Sequence, residues 1–448
     1  MSNIFNINPY EEDEDTPEMR EMLNKINHEE NKSEIKDLTV NIVDAVCGAG
    51  KTSAAINMIN NSDNDTKFLY ITPYLNEVER IIKSCPKKKF KQPEVMGSKL
   101  KGIEWLFNQG MNIVSTHSLF LQFNEDIMEL VRIQGYILIM DEVVEVVKQM
   151  DDIKGADLKY LLNYTITGEN GILKWNNQKK YDGEWLDKYR NYIDLEALYY
   201  YNNTALLYLF PVKCFTAFQD IYILTYMFDS QIQRCYYDYN NLKYRYLGIK
   251  GDSLETYNFS DNVEDTKKID YGKLIHIVQN KKLNDIGDKD TALSVSWYNK
   301  NKEGILIEEL KKRTSNFFKH IAKTPSSKNL WTTFEKNKTL LKNKGYSKSF
   351  LACNARATNE YMDRVSVAYL CNRYFNPILK GFFLDQHIRV DENGWALSEL
   401  LQFIFRSAIR NEEEINIYIP SFRMRTLLEE WIERGDKASY PPPEHRQK

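Results

Sequence analysis

Ten consecutive residues, Asp44-Ala45-Val46-Cys47-Gly48-Ala49-Gly50-Lys51-Thr52-Ser53, constrain this chain more than any other stretch. Gly48 and Gly50 permit a backbone bend tight enough for successive N–H groups to converge on a phosphate. Lys51 supplies a point charge to β- and γ-phosphates, and the hydroxyl of Thr52 can ligate Mg²⁺. Ala49 and Ser53 complete the cradle. The flanks suit such a loop. Leu38-Thr39-Val40-Asn41-Ile42-Val43 is β-branched and largely apolar, as a buried strand should be, and Thr52 to Met58 can open a helix whose N-terminus faces the anion. Strand, glycine-rich turn and helix in that order call for an α/β fold built on a parallel sheet. Ala45 stands where the common pattern has its first glycine.

The rest of the chain supports that class. From Asp37 to about Met150, short β-branched runs alternate with helical patterns, with strands expected at 38–43, 67–71, 111–115 and 136–140. Residues 151–212 break the rhythm. They are rich in Tyr, Trp and Asn, include Tyr199-Tyr200-Tyr201, and read as an insertion in the first domain. Ile221 to Leu224 returns to the strand pattern. Gly, Ser, Asp and Asn accumulate over 249–266, which places an interdomain linker there. The expected architecture is thus two domains, 37–250 and 265–440, which suits a chain of 448 residues. Strands are expected in the second at 274–278, 291–295, 349–353 and 415–419. The acidic segment 1–36 and the tail from Pro441 read as mobile ends.

Composition narrows the class further. The net charge of −3 gives no global attraction to nucleic acid, so any such site must be a local patch. Six scattered cysteines without a C-x-x-C pair fit a reducing compartment and argue against structural zinc. No apolar leader opens the chain and no run of 18 apolar residues occurs, so a cytoplasmic location is expected.

A second chemical element is Tyr136-Ile137-Leu138-Ile139-Met140-Asp141-Glu142, an apolar strand ending in two carboxylates. Asp141 would hold Mg²⁺, and Glu142 would orient and deprotonate an attacking water. Both acids together favour hydrolysis over simple phosphate binding. Other strand tips are polar as well: Thr72-Pro73, Ser115-Thr116-His117-Ser118 and Thr225-Tyr226. In open α/β sheets ligands bind beyond the carboxyl ends of the strands, so these tips form one working face.

In this order the segments resemble superfamily 2 helicases of the DEAD-like kind. Ala45-x-x-Gly48-x-Gly50-Lys51-Thr52 matches motif I, alanine included, and Asp141-Glu142-Val143-Val144 corresponds to the DExx box. Thr72-Pro73 resembles motif Ia, Ser115-Thr116-His117 the next nucleic-acid-contacting motif, and Leu224-Thr225-Tyr226 stands at motif III. In the second half, Asn354-Ala355-Arg356-Ala357-Thr358-Asn359 occupies the place of motifs IV–V. Gln402 to Arg410 resembles motif VI, with its second arginine one residue late. The Arg356-Ala357-Thr358-Asn359 segment and Tyr418-Ile419-Pro420-Ser421 are also similar to helicase-like proteins of phages of low-GC Gram-positive bacteria.

The resemblance implies two tandem RecA-like parallel-sheet domains that hydrolyse ATP with Mg²⁺ in the cleft between them. It implies a helicase or translocase on single-stranded nucleic acid, DNA ahead of RNA, in phage DNA replication or recombination. Gln402, Arg406 and Arg410, spaced by four, would share one helix face and reach the ATP. Thr72, Thr116 and His117 would meet the nucleic acid, helped by Lys88 and Lys89 in the run Lys87–Lys91. Lys281, Lys282, Lys300, Lys302, Lys311, Lys312 and Arg313 form a second basic feature. Two other readings share the ATP site: a terminase-like packaging ATPase, for whose nuclease Asp385, Asp391 and Glu392 are the loose candidates, and an ATPase switch that senses nucleic acid without unwinding it.

Overall fold

The computed structural model describes residues 38–73, 75–168, 170–179, 185, 187–354 and 360–435. The acidic segment 1–36, the tail from Pro441 and Ala355–Asn359 of the expected motif IV–V segment lie outside the described residues.

The first strands follow the expected alternation: β1 (Thr39–Asp44), β2 (Phe68–Thr72), β3 (Ile113–Thr116) and β4 (Ile137–Asp141). The chain then leaves the sheet through β5 (Val147–Gln149), β6 (Thr165–Thr167), β7 (Leu173–Trp175), β8 (Leu198–Tyr201) and β9 (Ala205–Leu209). It returns with β10 (Asp220–Thr225), β11 (Lys243–Lys250) and β12 (Asn258–Ser260). The resulting sheet has the order β12-β11-β1-β10-β4-β2-β3. Every pairing is parallel except β11 with β12. Its middle strands are buried on both faces, which is why they read as continuous apolar runs rather than alternating ones. Helix α1 (Lys51–Asn61) follows β1 directly.

The aromatic-rich insertion is a small antiparallel sheet, β5-β9-β8, beside the hairpin β6-β7. Tyr189, Tyr199 and Tyr208 are buried in it, whereas Tyr160 and Trp185 remain exposed and pack edge to face.

The second sheet contains β13 (Ile275–Ile277), β14 (Asn329–Thr332), β15 (Ser366–Tyr369) and β16 (Ile415–Tyr418) in the order β13-β16-β15-β14, all parallel. Strand alternation sorts its side chains onto two faces. Val367, Tyr369, Ile415 and Ile417 point one way, toward α4 (Glu392–Ile404) and α5 (Phe422–Arg434). Trp331, Ala368, Leu370 and Tyr418 point the other way, under the helix Val295–Asn301, α2 (Ile305–Asn316) and the short helix Lys338–Leu341. Helix α3 (Pro377–Asp385) precedes α4. The molecule is therefore a pair of tandem RecA-like parallel-sheet domains with an aromatic insertion in the first.

Three expectations fail here. Residues 291–295 form no strand: Ser294 caps the helix Val295–Asn301, its hydroxyl accepting the N–H of Trp297 at 3.3 Å. Residues 349–353 only run alongside β14, through a single bridge between Trp331 and Phe350. The stretch 249–266 is not a free linker either. Gly251, at φ 112°, turns the chain back so that β12 pairs with β11 on the edge of the first sheet.

From Thr39 onward the chain is one compact unit. A single apolar cluster runs from Val43, Ala54 and Leu224 of the first sheet to Phe403, Leu428 and Trp431 of the second. At its centre the Trp431 indole stacks on Tyr271 at 5.1 Å and donates to the Tyr226 hydroxyl at 2.8 Å. All six cysteines carry free thiols. Among the described residues no helix is long and apolar enough to cross a membrane.

Candidate nucleotide site

β1 delivers the glycine-rich loop to the middle of the first sheet. The Asp44 carboxylate at its end accepts the backbone N–H groups of Met227 at 2.7 Å and Phe228 at 2.9 Å, which fixes the turn after β10 beside the loop. Burial pushes that carboxyl up to about 7, although the two N–H donors oppose the shift. Ala45, in the place of the first glycine, is buried and donates its N–H to Thr225 at 3.0 Å.

Gly48 and Gly50 both hold φ near +90°, a region where a side chain is strained. At Gly50 there is a second reason. A Cβ there would lie 2.7 Å from the ring of Tyr257, which packs on the loop from the β11–β12 hairpin. Asn57 of α1 holds that hairpin down by donating to the carbonyls of Tyr257 at 2.8 Å and Leu254 at 3.1 Å. Lys51 is buried and folds back on its own loop, with Nζ on the carbonyls of Ala45 and Val46.

The carboxylate pair lies at the tip of β4. Glu142 takes a left-handed backbone, φ 67°, locked by its N–H on the carbonyl of Leu224 at 2.8 Å. Burial, and then the neighbouring charge of Glu142, pushes the Asp141 carboxyl up to about 7. Two crowded acids of this kind could hold a cation.

Both domains line one cavity of about 820 Å³. Gly48, Gly50, Lys51, Thr52, Ser53, Asp141 and Glu142 come from the first domain, and Gln402, Arg406 and Arg410 from the second. Ala49 is buried behind the loop and is not on the wall. The three motif VI residues reach the cavity by a different route from the one expected. α4 ends at Ile404, Arg406 follows in a turn, and Arg410 sits in a short 3₁₀ segment, Ala408–Asn411. They therefore do not share one helix face. The Arg410 carbonyl lies 3.8 Å from where a Cβ on Gly48 would be, so this segment abuts the glycine loop.

The nucleic-acid candidates separate. Thr116 lines the cavity. His117 lines it too, but its Nε2 is bonded to the Asp141 carbonyl at 2.8 Å, so it braces the carboxylate strand. Thr72 is completely buried and off the wall. Lys88 is buried as well, its ammonium on the carbonyls of Asp63 and Thr66 and over the ring of Phe68. Thr72 and Lys88 are thus structural, and of the expected lysine pair only Lys89 is exposed.

Sequence reasoning missed several wall residues. Trp395 and Glu399 precede the expected Gln402 at the i, i+4, i+7 spacing of one face of α4, a signal that was available. Glu399 pairs with Arg373, whose guanidinium lies 4.9 Å over the Trp395 ring. Gln231 lines the cavity and also crosses between domains, donating to the Ser398 hydroxyl at 3.0 Å. Asn354, the described end of the motif IV–V segment, is on the wall.

Fold and cleft together define the class: tandem RecA-like α/β domains whose glycine-rich loop, acidic strand tip and cross-domain arginines meet in one cavity. Residues 269–432 match the family described as the YonV C-terminal Rossmann-like domain. The SPbeta prophage-derived uncharacterized protein YonV of Bacillus subtilis (strain 168) is 39% identical over 409 residues, 88% of this chain and 98% of that protein. The chain belongs to the YonV family. Among solved structures, one titled XPD_APO aligns with a TM-score of 0.47 at 13% identity, over 90% of this chain and 98% of its own. Another, the structure of S. tokodaii Xpd4, aligns at 0.46 and 11% identity, over 91% and 97%.

Proposed function

We propose that this protein is an ATP-dependent motor on nucleic acid, a helicase or translocase. It would act on a single strand, DNA ahead of RNA, in the replication or recombination of phage DNA, and the prophage source of the Bacillus relative supports that setting. One observation carries the reading. Lys51, Thr52, Asp141 and Glu142 share a cavity wall with Arg406 and Arg410 from the other domain.

The residues fit a magnesium–nucleotide group. Gly48 and Gly50 line the cavity, and the charge of Glu142 acting on the neighbouring Asp141 carboxyl is of the kind a divalent cation offsets. Thr52 and Asp141 would hold Mg²⁺, which when bound neutralises charge on the β- and γ-phosphates. Lys51 exchanges the carbonyls of Ala45 and Val46 for phosphate oxygens. Glu142 orients the attacking water and takes its proton. Arg406 and Arg410 meet the charge that develops in the transition state, so the site is complete only when the two domains close on it. Thr116 lies on the same strand-tip edge and would contact the strand.

A terminase-like reading loses its nuclease candidates. Asp385 is bonded to Tyr201, Asp391 caps α4 and accepts from Ser230, and Glu392 pairs with Lys380. The switch reading has one observation in its favour, the engagement of Lys51 by its own loop. The test is ATP turnover of the parent and of Glu142→Gln, with and without single-stranded DNA, RNA and duplex, beside a strand-displacement assay. The motor reading expects turnover stimulated by a single strand, and a variant that binds ATP without hydrolysing it. Turnover indifferent to every nucleic acid would leave the switch.

A further inference from the structure

The two faces of the second sheet differ in charge. Residues 281–348 hold sixteen Lys and Arg against seven Asp and Glu, a local net charge of +9 in a chain whose total is −3. Most of this stretch builds the layer over Trp331, Ala368, Leu370 and Tyr418. The nucleotide cavity lies on the opposite face, where α4 runs. The basic layer is thus separated from the cleft by the thickness of the sheet.

Within that layer the charges are sorted. Lys311 pairs with Glu308, and Arg313 pairs with Asp285 and Glu309, which takes up three of the seven acids. Lys312, Lys319, Lys323, Lys342, Lys344 and Lys348 are all exposed, and among the described residues none of them pairs with a carboxylate. They adjoin one another. Lys312 lies in α2 and Lys319 in the π-helical turn Phe317–Ile321 that continues it. The Lys319 stem lies 3.9 Å from where a Cβ on Gly345 would be, and Asn343 donates to Ser315 of α2 at 3.0 Å. These contacts bring the 342–348 loop alongside the helix. A merely solvated helix face would interleave the two signs. The large apolar side chains exposed in this layer are aliphatic, Val295, Ile305, Leu306 and Ile321, with no aromatic ring among them. A single-strand site stacks bases on aromatic rings, whereas a duplex, its bases stacked inside, can be held by phosphate contacts alone.

We propose that this lysine face binds the phosphate backbone of duplex nucleic acid, without regard to sequence, on the side of the second domain away from the cleft. The contact goes beyond the motor reading and stands whether or not the cleft hydrolyses ATP. The test compares the full chain with Lys312→Ala/Lys319→Ala/Lys344→Ala/Lys348→Ala, and with the four corresponding Arg replacements. Binding of a labelled duplex DNA and of oligo-dT is measured over a salt series, with polyglutamate as a second probe.

Exposed lysines of this kind tolerate alanine without loss of fold. In the alanine variant the salt slope of duplex binding should fall by about 3.6, four contacts at about 0.9 each. Oligo-dT binding and basal ATP turnover should stay at parental values, and the arginine variant should keep the parental slope. An unchanged duplex slope in the alanine variant overturns the proposal. So does polyglutamate binding that exceeds duplex binding in the parent and is lost in the variant, which would identify an acidic protein partner instead. Loss of single-strand stimulation with the duplex slope still lysine-dependent would refute the motor reading alone.

Discussion

Replacing Tyr226 by Phe deletes one oxygen at the joint between the domains and leaves the ring in place. In the structure that oxygen accepts the indole N–H of Trp431 at 2.8 Å, with Tyr226 2% and Trp431 5% exposed. Tyr271, stacked at 5.1 Å, and Phe405, edge-on at 6.4 Å, enclose the indole and keep its ring in place once the Tyr226 oxygen is gone. A buried donor left without its partner costs about 1–3 kcal/mol, and the lost packing is small, so Tyr226→Phe should destabilise by about 2 kcal/mol. Trp431→Phe removes the donor and opens a void as well, and should cost more. Because the two single changes both break the same bond, the double variant should fall short of their sum by about 1–2 kcal/mol. Urea unfolding of the four proteins measures this coupling. A Tyr226→Phe midpoint equal to that of the parent, or strict additivity in the cycle, would refute the reasoning.

Three further outcomes are expected. Arg406→Ala or Arg410→Ala should lower ATP turnover by about 10³–10⁵ while nucleotide affinity holds, as removal of an arginine finger does; normal turnover in both would end the cross-domain assignment. Lys88→Ala should cost about 1 kcal/mol through its lost carbonyl contacts and leave the salt dependence of single-strand binding unchanged; a flatter slope would restore Lys88 to the nucleic-acid surface. For Asp44 the folded carboxyl titrates near 7, above its unfolded value of about 3.9, so the native state holds the extra proton between those limits. Stability should be greatest below about pH 4 on this account and fall as pH rises toward 7. The loss from pH 5 to 8 should be about 3 kcal/mol and absent from Asp44→Asn; parallel pH curves for the two proteins would exclude it.

What could be read from the sequence was local chemistry on long or strongly patterned segments. The glycine loop and the acidic strand tip each carry their own signature, and both fall where expected, at the ends of β1 and β4. In the second sheet β13 and β16 also fall where expected, but β14 and β15 were not foreseen. Asn329-Leu330-Trp331-Thr332 and Ser366-Val367-Ala368-Tyr369 are four residues each and buried throughout, so neither alternates and neither is long enough to separate strand from helix. Ser294, read as part of a strand, is the kind of residue that caps a helix. Lysine charge along a sequence also says nothing of where each ammonium goes. Lys88 and Lys89 are neighbours, yet one is folded onto carbonyls and the other faces solvent. The clash of Tyr257 with any side chain at Gly50 joins residues 207 positions apart, beyond the reach of any pattern.

The apolar cluster shared by the two sheets has a bearing on inheritance. A crossover between β12 and β13 that exchanged one half for that of a distant relative would present Trp431, Tyr271 and Phe405 with a wall they do not fit. Halves of this chain expressed separately should each be insoluble and should recover when made together. The boundary that a family profile draws at residue 269 is therefore a seam in sequence description and not a place where the protein comes apart.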